Sequence, residues 1–448
     1  MKAKWTLDGI AGELRDGKTT SRKLVEQALA AISEPTGEGS RAFIKVDAEG
    51  ARAAADYQDV LRQRGRVPSF FAGIPISAKD LFDLAGEVTT AGSTVLRDSP
   101  PALADAPAIA ALKSAGMVVL GRTNMTEFAY SGVGLNPHYG TPRSAFDRKT
   151  GRIPGGSSAG AAVAVADGMC ALSIGSDTGG SCRIPAAYNG IVGYKPSTGR
   201  VSTRGAYPLS PRFDSIGPLA NSVACCAAAD ALMAGDWSGQ IAPRHVSTLR
   251  LGVLRTAVLE DLDAEVAHGF ERALTRLSKA GAGLADLAFQ ELLEFPALTA
   301  KGGIVAAEAV AHHRNLMAQR GAEYDPRVRM RLDVAGSISA ADYLSILKRR
   351  GEFISRFNGL MAGFDAVVLP TVMNIPPPIA ALGSDQDYLR FNSMSLRNTY
   401  VGNFLECCAL SMPVNEPGAA PVGLMLMASH GQDRALFAAG MAVERLLQ

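Results

Sequence analysis

Apolar residues recur at helical spacing over the first 65 positions. Leu7, Ile10 and Leu14 share one face, and Val25, Leu29 and Ile32 share another. That periodicity predicts helices through the whole stretch. The pattern then changes to short apolar runs at Gly73–Ala78, Met117–Leu120 and Cys170–Ile174, which read as buried strands. Ala108–Ser114 reads as a helix between two of them. Strands alternating with helices predict an α/β layered fold. A second βαβ-like unit spans Leu249–Leu287. Leu251, Val253 and Leu254 open it, a helix runs from about Asp263 to Lys279, and a strand begins within 281–287. Residues 288–360 read as mostly helical. Asp365–Leu369 reads as a strand stopped by Pro370, Ile375–Pro378 as a rigid loop, Pro421–Met427 as a strand and Asp433–Leu447 as a closing helix. No repeat or low-complexity linker interrupts the chain. The expectation is one domain over 1–448, with 240–360 as a more variable lobe.

Composition narrows the class. The chain has 448 residues, 47% of them hydrophobic, enough for one large core. Its net charge of +2 is dispersed, with no basic block, so direct nucleic-acid binding is not expected. The N-terminal segment is charged throughout and lacks the apolar core of a signal peptide. No apolar run approaches the ~18 residues of a membrane span. A soluble cytoplasmic protein is expected, with no membrane partner and a homodimer as the default assembly. Six cysteines include adjacent pairs at 225–226 and 407–408, a poor spacing for metal ligands. They read as small buried hydrophobes in a reducing compartment, and no metal site is expected.

The chemistry concentrates in Gly155–Arg183. Gly155, Gly156, Ser157 and Ser158 open this block, and Asp177, Thr178, Gly179, Gly180 and Ser181 close it. One helix–strand passage separates the two turns, which can bring Ser157 and Ser181 together across 24 positions. Successive N–H groups in a glycine-rich turn can face one concavity and hold an anion. Beside a nucleophilic oxygen they stabilise the oxyanion of acyl transfer. Two decoys lie in the same block. Residues 156–160 match GxSxG, which would make Ser158 a nucleophile, yet no downstream His stands in a triad-like context. Residues 177–179 match the aspartic protease triplet without the second copy that a dyad needs.

Gly73–Asp80 reads as a buried strand that ends in Lys79. Burying an unpaired ammonium is costly. Two readings stand on this stretch alone. Lys79 reaches solvent or pairs with Asp80 or Asp83, or it is a desolvated neutral base. A base working near neutrality needs a pKa of roughly 7–8 against a reference of about 10.4, and burial supplies shifts of that size.

Lys79, the GGSS at 155–158 and the SDTGGS at 176–181 occur in the order and spacing of the amidase signature family, which the chain resembles. Residues 121–128 (GRTNMTEF), 136–142 (NPHYGTP), 190–196 (GIVGYKP) and the late PVGLMLM strand extend the resemblance over nearly the whole chain. It is strongest over the signature core, 73–220. The resemblance implies a large mixed central sheet covered by helices on both faces, and a Ser–cis-Ser–Lys triad. Ser181 is then the nucleophile, Ser157 the relay after a cis peptide bond, and neutral Lys79 the general base. The N–H groups of Thr178, Gly179, Gly180 and Ser181 form the oxyanion hole, and neither metal nor cofactor is required. Ser158 steadies the turn. Asp177 and Arg183 form a structural ion pair, with Arg183 as a carboxylate receptor the alternative. Ala159 stands where the family often has glycine, outside the three catalytic groups.

By the same alignment the Phe128–Gly132 loop borders the scissile bond, so Ala129, Tyr130 and Ser131 are the expected substrate-binding residues. Residues 300–400 are expected to close the other side, where Arg397, Asn398, Thr399, Tyr400 and Asn403 offer polar groups. The expected activity is hydrolysis of a small carboxamide, releasing ammonia or an amine. The alternative is the glutamine-hydrolysing component of a tRNA-dependent amidotransferase.

Overall fold

Eleven strands, counted among the described residues, build one mixed sheet. They are β1 (Phe43–Val46), β2 (Pro75–Lys79), β3 (Val118–Thr123), β4 (Leu172–Ser176), β5 (Val192–Lys195), β6 (Ile216–Ala220), β7 (Arg250–Leu254), β8 (Gly283–Leu287), β9 (Ala366–Pro370), β10 (Cys408–Pro413) and β11 (Gly423–Ala428). The order across the sheet is β1-β3-β2-β4-β6-β5-β10-β11-β9-β7-β8. The β3-β2-β4 and β9-β7-β8 neighbours are parallel, and the remaining pairs are antiparallel. A computed structural model describes residues 5–236 and 238–447.

Alternation along the strands sends side chains to two separate cores. On β11, Leu424 and Leu426 pack with Val223, Leu436 and Phe437, whereas Met425 and Met427 pack with Phe353 and Phe404. On β9, Ala366 and Val368 join the first group, and Val367 and Leu369 the second. Helices 223–234 and 433–447 therefore cover one face, and helices 340–361 and 385–404 the other. Near β3 the second face is closed by helices 21–33, 48–63 and 159–166, through Val25, Ala51, Ala55 and Val163. The expected fold, a large mixed sheet with helices on both faces, is the one observed.

The first 65 residues are not helical throughout. Helices form at Leu7–Arg15, Ser21–Ser33 and Ala48–Gln63, capped by the side chains of Thr6, Thr20 and Asp47. Between them Phe43–Val46 is a strand, paired antiparallel with β3. Its aromatic and β-branched residues suit a pleated edge better than a helix, and helical periodicity on either side hides it. The predicted unit at 249–287 forms β7, the helix Ala264–Lys279 and β8, and it extends the same sheet. Among the described residues no helix is long and apolar enough to cross a membrane.

One local feature positions the chemistry. β2 and β4 run parallel, with Ile76 opposite Leu172 and Ala78 opposite Ile174. Their carboxyl ends place Lys79 and Ser176 side by side. In open α/β sheets, ligands gather beyond such strand ends.

Candidate active site

Lys79 is wholly buried. Its Nζ donates to Ser157 Oγ at 2.7 Å and to Ser176 Oγ at 2.9 Å. Among the described residues no carboxylate lies within ion-pair distance of it. Asp80 instead faces Arg122 at 3.5 Å and accepts from the Gly92 N–H. Burial pushes the Lys79 amine down from 10.5 to about 7, while Asp177 and Asp214 pull weakly in the opposite direction. The amine is thus partly neutral at physiological pH and hydrogen-bonded to a hydroxyl through which it can take a proton.

The two Gly/Ser turns meet. The Gly156–Ser157 peptide is cis. Ser158 N–H donates to the Ser181 carbonyl at 3.3 Å, and Thr126 N–H to the Ser157 carbonyl at 3.1 Å. Ser158 Oγ turns away to the Ser176 carbonyl at 3.4 Å. No hydrogen bond joins the Ser157 and Ser181 hydroxyls among the described residues, and Ser181 Oγ is likewise without one. Ser181 is 4% exposed and lines a cleft of about 730 Å³ together with Thr178 and Gly179. The N–H groups of Thr178, Gly179, Gly180 and Ser181 have no acceptor among the described residues, although the turn itself is firmly held. Thr178 Oγ1 donates to Asp214 at 2.6 Å, Thr399 Oγ1 to the Gly179 carbonyl at 2.7 Å, and Ile184 N–H to the Gly180 carbonyl at 2.7 Å. Gly180 has φ 135°, and a Cβ there would meet Thr399 Oγ1 at 2.1 Å, so only glycine fits. The arrangement offers a hydroxyl and free N–H donors at the cleft, with a depressed lysine buried behind them on the adjoining serine turn.

The Amidase family profile matches residues 23–437. The chain belongs to the amidase signature family. It is 35% identical over 408 residues to the 2-amino-5-chloromuconic acid deaminase of Comamonas testosteroni, a match that covers 90% of this chain and 87% of the relative. It is 34% identical over 464 residues to AtzE, a 1-carboxybiuret hydrolase component from Pseudomonas sp. (strain ADP), covering 99% and 98%. The A component of the glutamyl-tRNA(Gln) amidotransferase of Lacticaseibacillus paracasei is 30% identical over 479 residues, covering 98% and 96%. The crystal structure of an amidase superposes with a TM-score of 0.88 at 31% identity, over 99% of this chain and 100% of that one. The protein is an amide-hydrolysing enzyme of this family.

In this amidase Asp177 and Arg183 are both fully buried and paired in a fork, Nε to Oδ2 at 3.0 Å and Nη2 to Oδ1 at 2.9 Å. Arg183 also donates to Asn403 Oδ1, the Thr399 carbonyl and Met425 Sδ. Those five contacts match the five N–H groups of a guanidinium. Burial raises the Asp177 carboxyl, but Arg183 and Asn403 outweigh it and hold it at about 2.

The cleft wall next to Ser181 includes Ala129, Tyr130 and Ser131. Ser131 Oγ and the Gly132 N–H both donate to Asn392 Oδ1, at 2.9 and 2.8 Å. Of the five polar positions expected across the cleft, Arg397 and Tyr400 line it. Asn398 donates to the Val258 and Pro370 carbonyls, and Thr399 and Asn403 brace the Asp177–Arg183 turn. Three polar partners were not foreseen from the sequence: Ser176 on Lys79, Asp214 on Thr178, and Asn392 on Ser131. Ser176 begins the SDTGGS block, so the parallel pairing of β2 with β4 would have revealed it. Asp214 and Asn392 are distant in sequence and carried no local signal. All six cysteines are buried and unpaired.

Proposed function

We propose that this amidase hydrolyses a small carboxamide through an acyl-enzyme on Ser181. The observation that carries the reading is Lys79 Nζ, buried, depressed to about 7 and 2.7 Å from Ser157 Oγ, next to a turn with four unspent N–H groups. Ser181 Oγ attacks the carbonyl carbon. Its proton passes to Ser157, while the Ser157 proton passes to Lys79. The oxyanion is held by the N–H groups of Thr178, Gly179, Gly180 and Ser181. The proton returns by the same route to the leaving nitrogen as the C–N bond breaks. Water then opens the ester with the relay running again. The Ser157–Ser181 leg closes when substrate seats, since catalytic hydrogen bonds are often longer in a free enzyme.

In this reading Ser158, Asp177 and Arg183 hold the turn, and Ala129, Tyr130 and Ser131 contact substrate. Arg183 is structural, because Asp177 and its other partners occupy its donors. The unpaired buried thiols fit a reducing, cytoplasmic setting. The deaminase and the carboxybiuret hydrolase are named for small acids rather than for tRNA, which supports the small-molecule reading over the glutamine-hydrolysing one. Ammonia release by the purified chain tests the choice. Turnover of simple carboxamides with poor glutamine turnover is expected. Glutamine turnover that appears only with added partner proteins would favour the amidotransferase reading.

A further inference from the structure

Four charged side chains line the cleft: Glu260, Lys301, Arg331 and Arg397. Cations outnumber the single acid, and they are not equally committed. Arg397 sits among acidic neighbours, Glu260 and Asp261, and donates to the Glu260 carbonyl. Lys301 is half-exposed and 3.9 Å from Asp342. Arg331 has no carboxylate within ion-pair distance among the described residues. Its guanidinium lies 4.0 Å from the centroid of the Tyr130 ring, and Nη1 donates to the Tyr130 carbonyl. Nε and Nη2 have no partner among the described residues. A stacked, part-buried guanidinium with spent packing and unspent donors is preorganised for a planar oxyanion.

Two further donors in the same wall are unspent. Asn392 is 5% exposed, and its Oδ1 is fixed by the Gly132 N–H, which can only donate. Its Nδ2 is therefore free of the loop and has no acceptor among the described residues. Tyr400 Oη, also in the cleft lining, is buried without a partner. A buried donor without an acceptor is costly unless a ligand satisfies it. Arg331 and Asn392 grip the same loop, the one at Tyr130–Gly132 that borders Ser181.

We infer that Arg331, with Asn392 beside it, binds a carboxylate on the substrate, so that the preferred substrates are anionic amides bearing a free acid group. This rests on the amidohydrolase reading above. The geometry adds what that reading leaves open: which small carboxamides are taken and which are refused.

The test uses the full chain carrying Ser181→Ala, which binds without turnover. Calorimetric titration compares ω-carboxy carboxamides, from oxamate through adipamate, with their methyl esters. At least one acid is expected to bind ten or more times tighter than its ester. Adding Arg331→Gln is expected to collapse that ratio to near one, while Arg331→Lys keeps part of it. Acids and esters that bind alike across the series overturn the inference. So does a ratio that survives Arg331→Gln, or one that is lost in Arg397→Gln and kept in Arg331→Gln. The amidohydrolase reading fails by a different result, namely absence of ammonia release from every amide of the series by the enzyme with Ser181 intact. The titration still decides the carboxylate in that event.

Discussion

Lys79 Nζ lies 2.7 Å from Ser157 Oγ, and both residues are sealed from solvent. The contact has catalytic meaning only when the amine is neutral. With burial holding it at about 7, kcat/KM is expected to rise about tenfold per pH unit below 7 and to level off above it. Lys79→Ala removes the base and is expected to lower kcat/KM by about 10²–10⁴. A pH–rate profile on a simple amide checks both. A flat profile between pH 5 and 8 would remove Lys79 from the role of base.

The same burial predicts a cost in stability. In the unfolded chain the amine titrates at 10.5, and in the native protein at about 7. Between those values the unfolded state holds more protons, so stability rises with pH across that window and is lowest below it. Lys79→Met removes the penalty. The shift represents ~4–5 kcal/mol at ~1.4 kcal/mol per unit, offset by the donor that the two hydroxyls lose. A net gain of about 1–3 kcal/mol at pH 7 is expected, shrinking as pH approaches 10. Urea unfolding of both proteins at several pH values measures it.

The catalytic turns were legible in the sequence because they are local. Lys79 ends an apolar run, and both serines sit in glycine-rich turns at fixed spacing. Three central strands were not legible. β6 contains Gly217 and Pro218, residues that read as a turn. In the fold, Pro218 lies opposite Ile174 in the middle of the sheet, and a Cβ at position 217 would meet the Tyr194 carbonyl at 1.9 Å. The glycine there admits a close approach between neighbouring strands. β5 has only four residues, inside GIVGYKP, and β10 is a six-residue strand opened by Cys408; neither carries an alternating polar and apolar pattern. The partners Asp214 and Asn392 are set by tertiary packing alone, which no local periodicity reports.

Ser181→Ala is expected to abolish labelling by a serine-directed fluorophosphonate, followed by intact-protein mass. Ser158→Ala is expected to retain activity to within about tenfold, because Ser158 Oγ only accompanies the turn through the Ser176 carbonyl. A label that persists in Ser181→Ala and vanishes in Ser158→Ala would restore the GxSxG reading.

Thr178 opens the row of free N–H groups, and its hydroxyl is fixed by Asp214. Burial raises the Asp214 carboxyl to about 6 despite three donors, so it is ionised at neutral pH. Its charge helps hold the Lys79 ammonium. Asp214→Asn therefore has two expected effects. Loosening of the turn lowers kcat by about 10–10² with KM little changed. Loss of the charge lowers the Lys79 pKa, so the acidic limb of the rate profile moves to lower pH. A merely destabilised protein would lose activity without that displacement.

Arg183 separates a structural role from a binding one. The Asp177–Arg183 pair is fully buried. Arg183→Met would strand the Asp177 carboxylate, a loss of about 3–5 kcal/mol. Arg183→Lys is expected to recover little of it, because an ammonium cannot reproduce the fork to both carboxylate oxygens or reach Asn403, Thr399 and Met425 together. Both variants should unfold at lower urea, and their residual activity should show an altered kcat. If Arg183 instead received a substrate carboxylate, Arg183→Lys would raise KM for acids selectively and leave the unfolding midpoint in place. The free donors of Arg331 give that selective loss a different address, so the two arginines make opposite predictions in the same pair of assays.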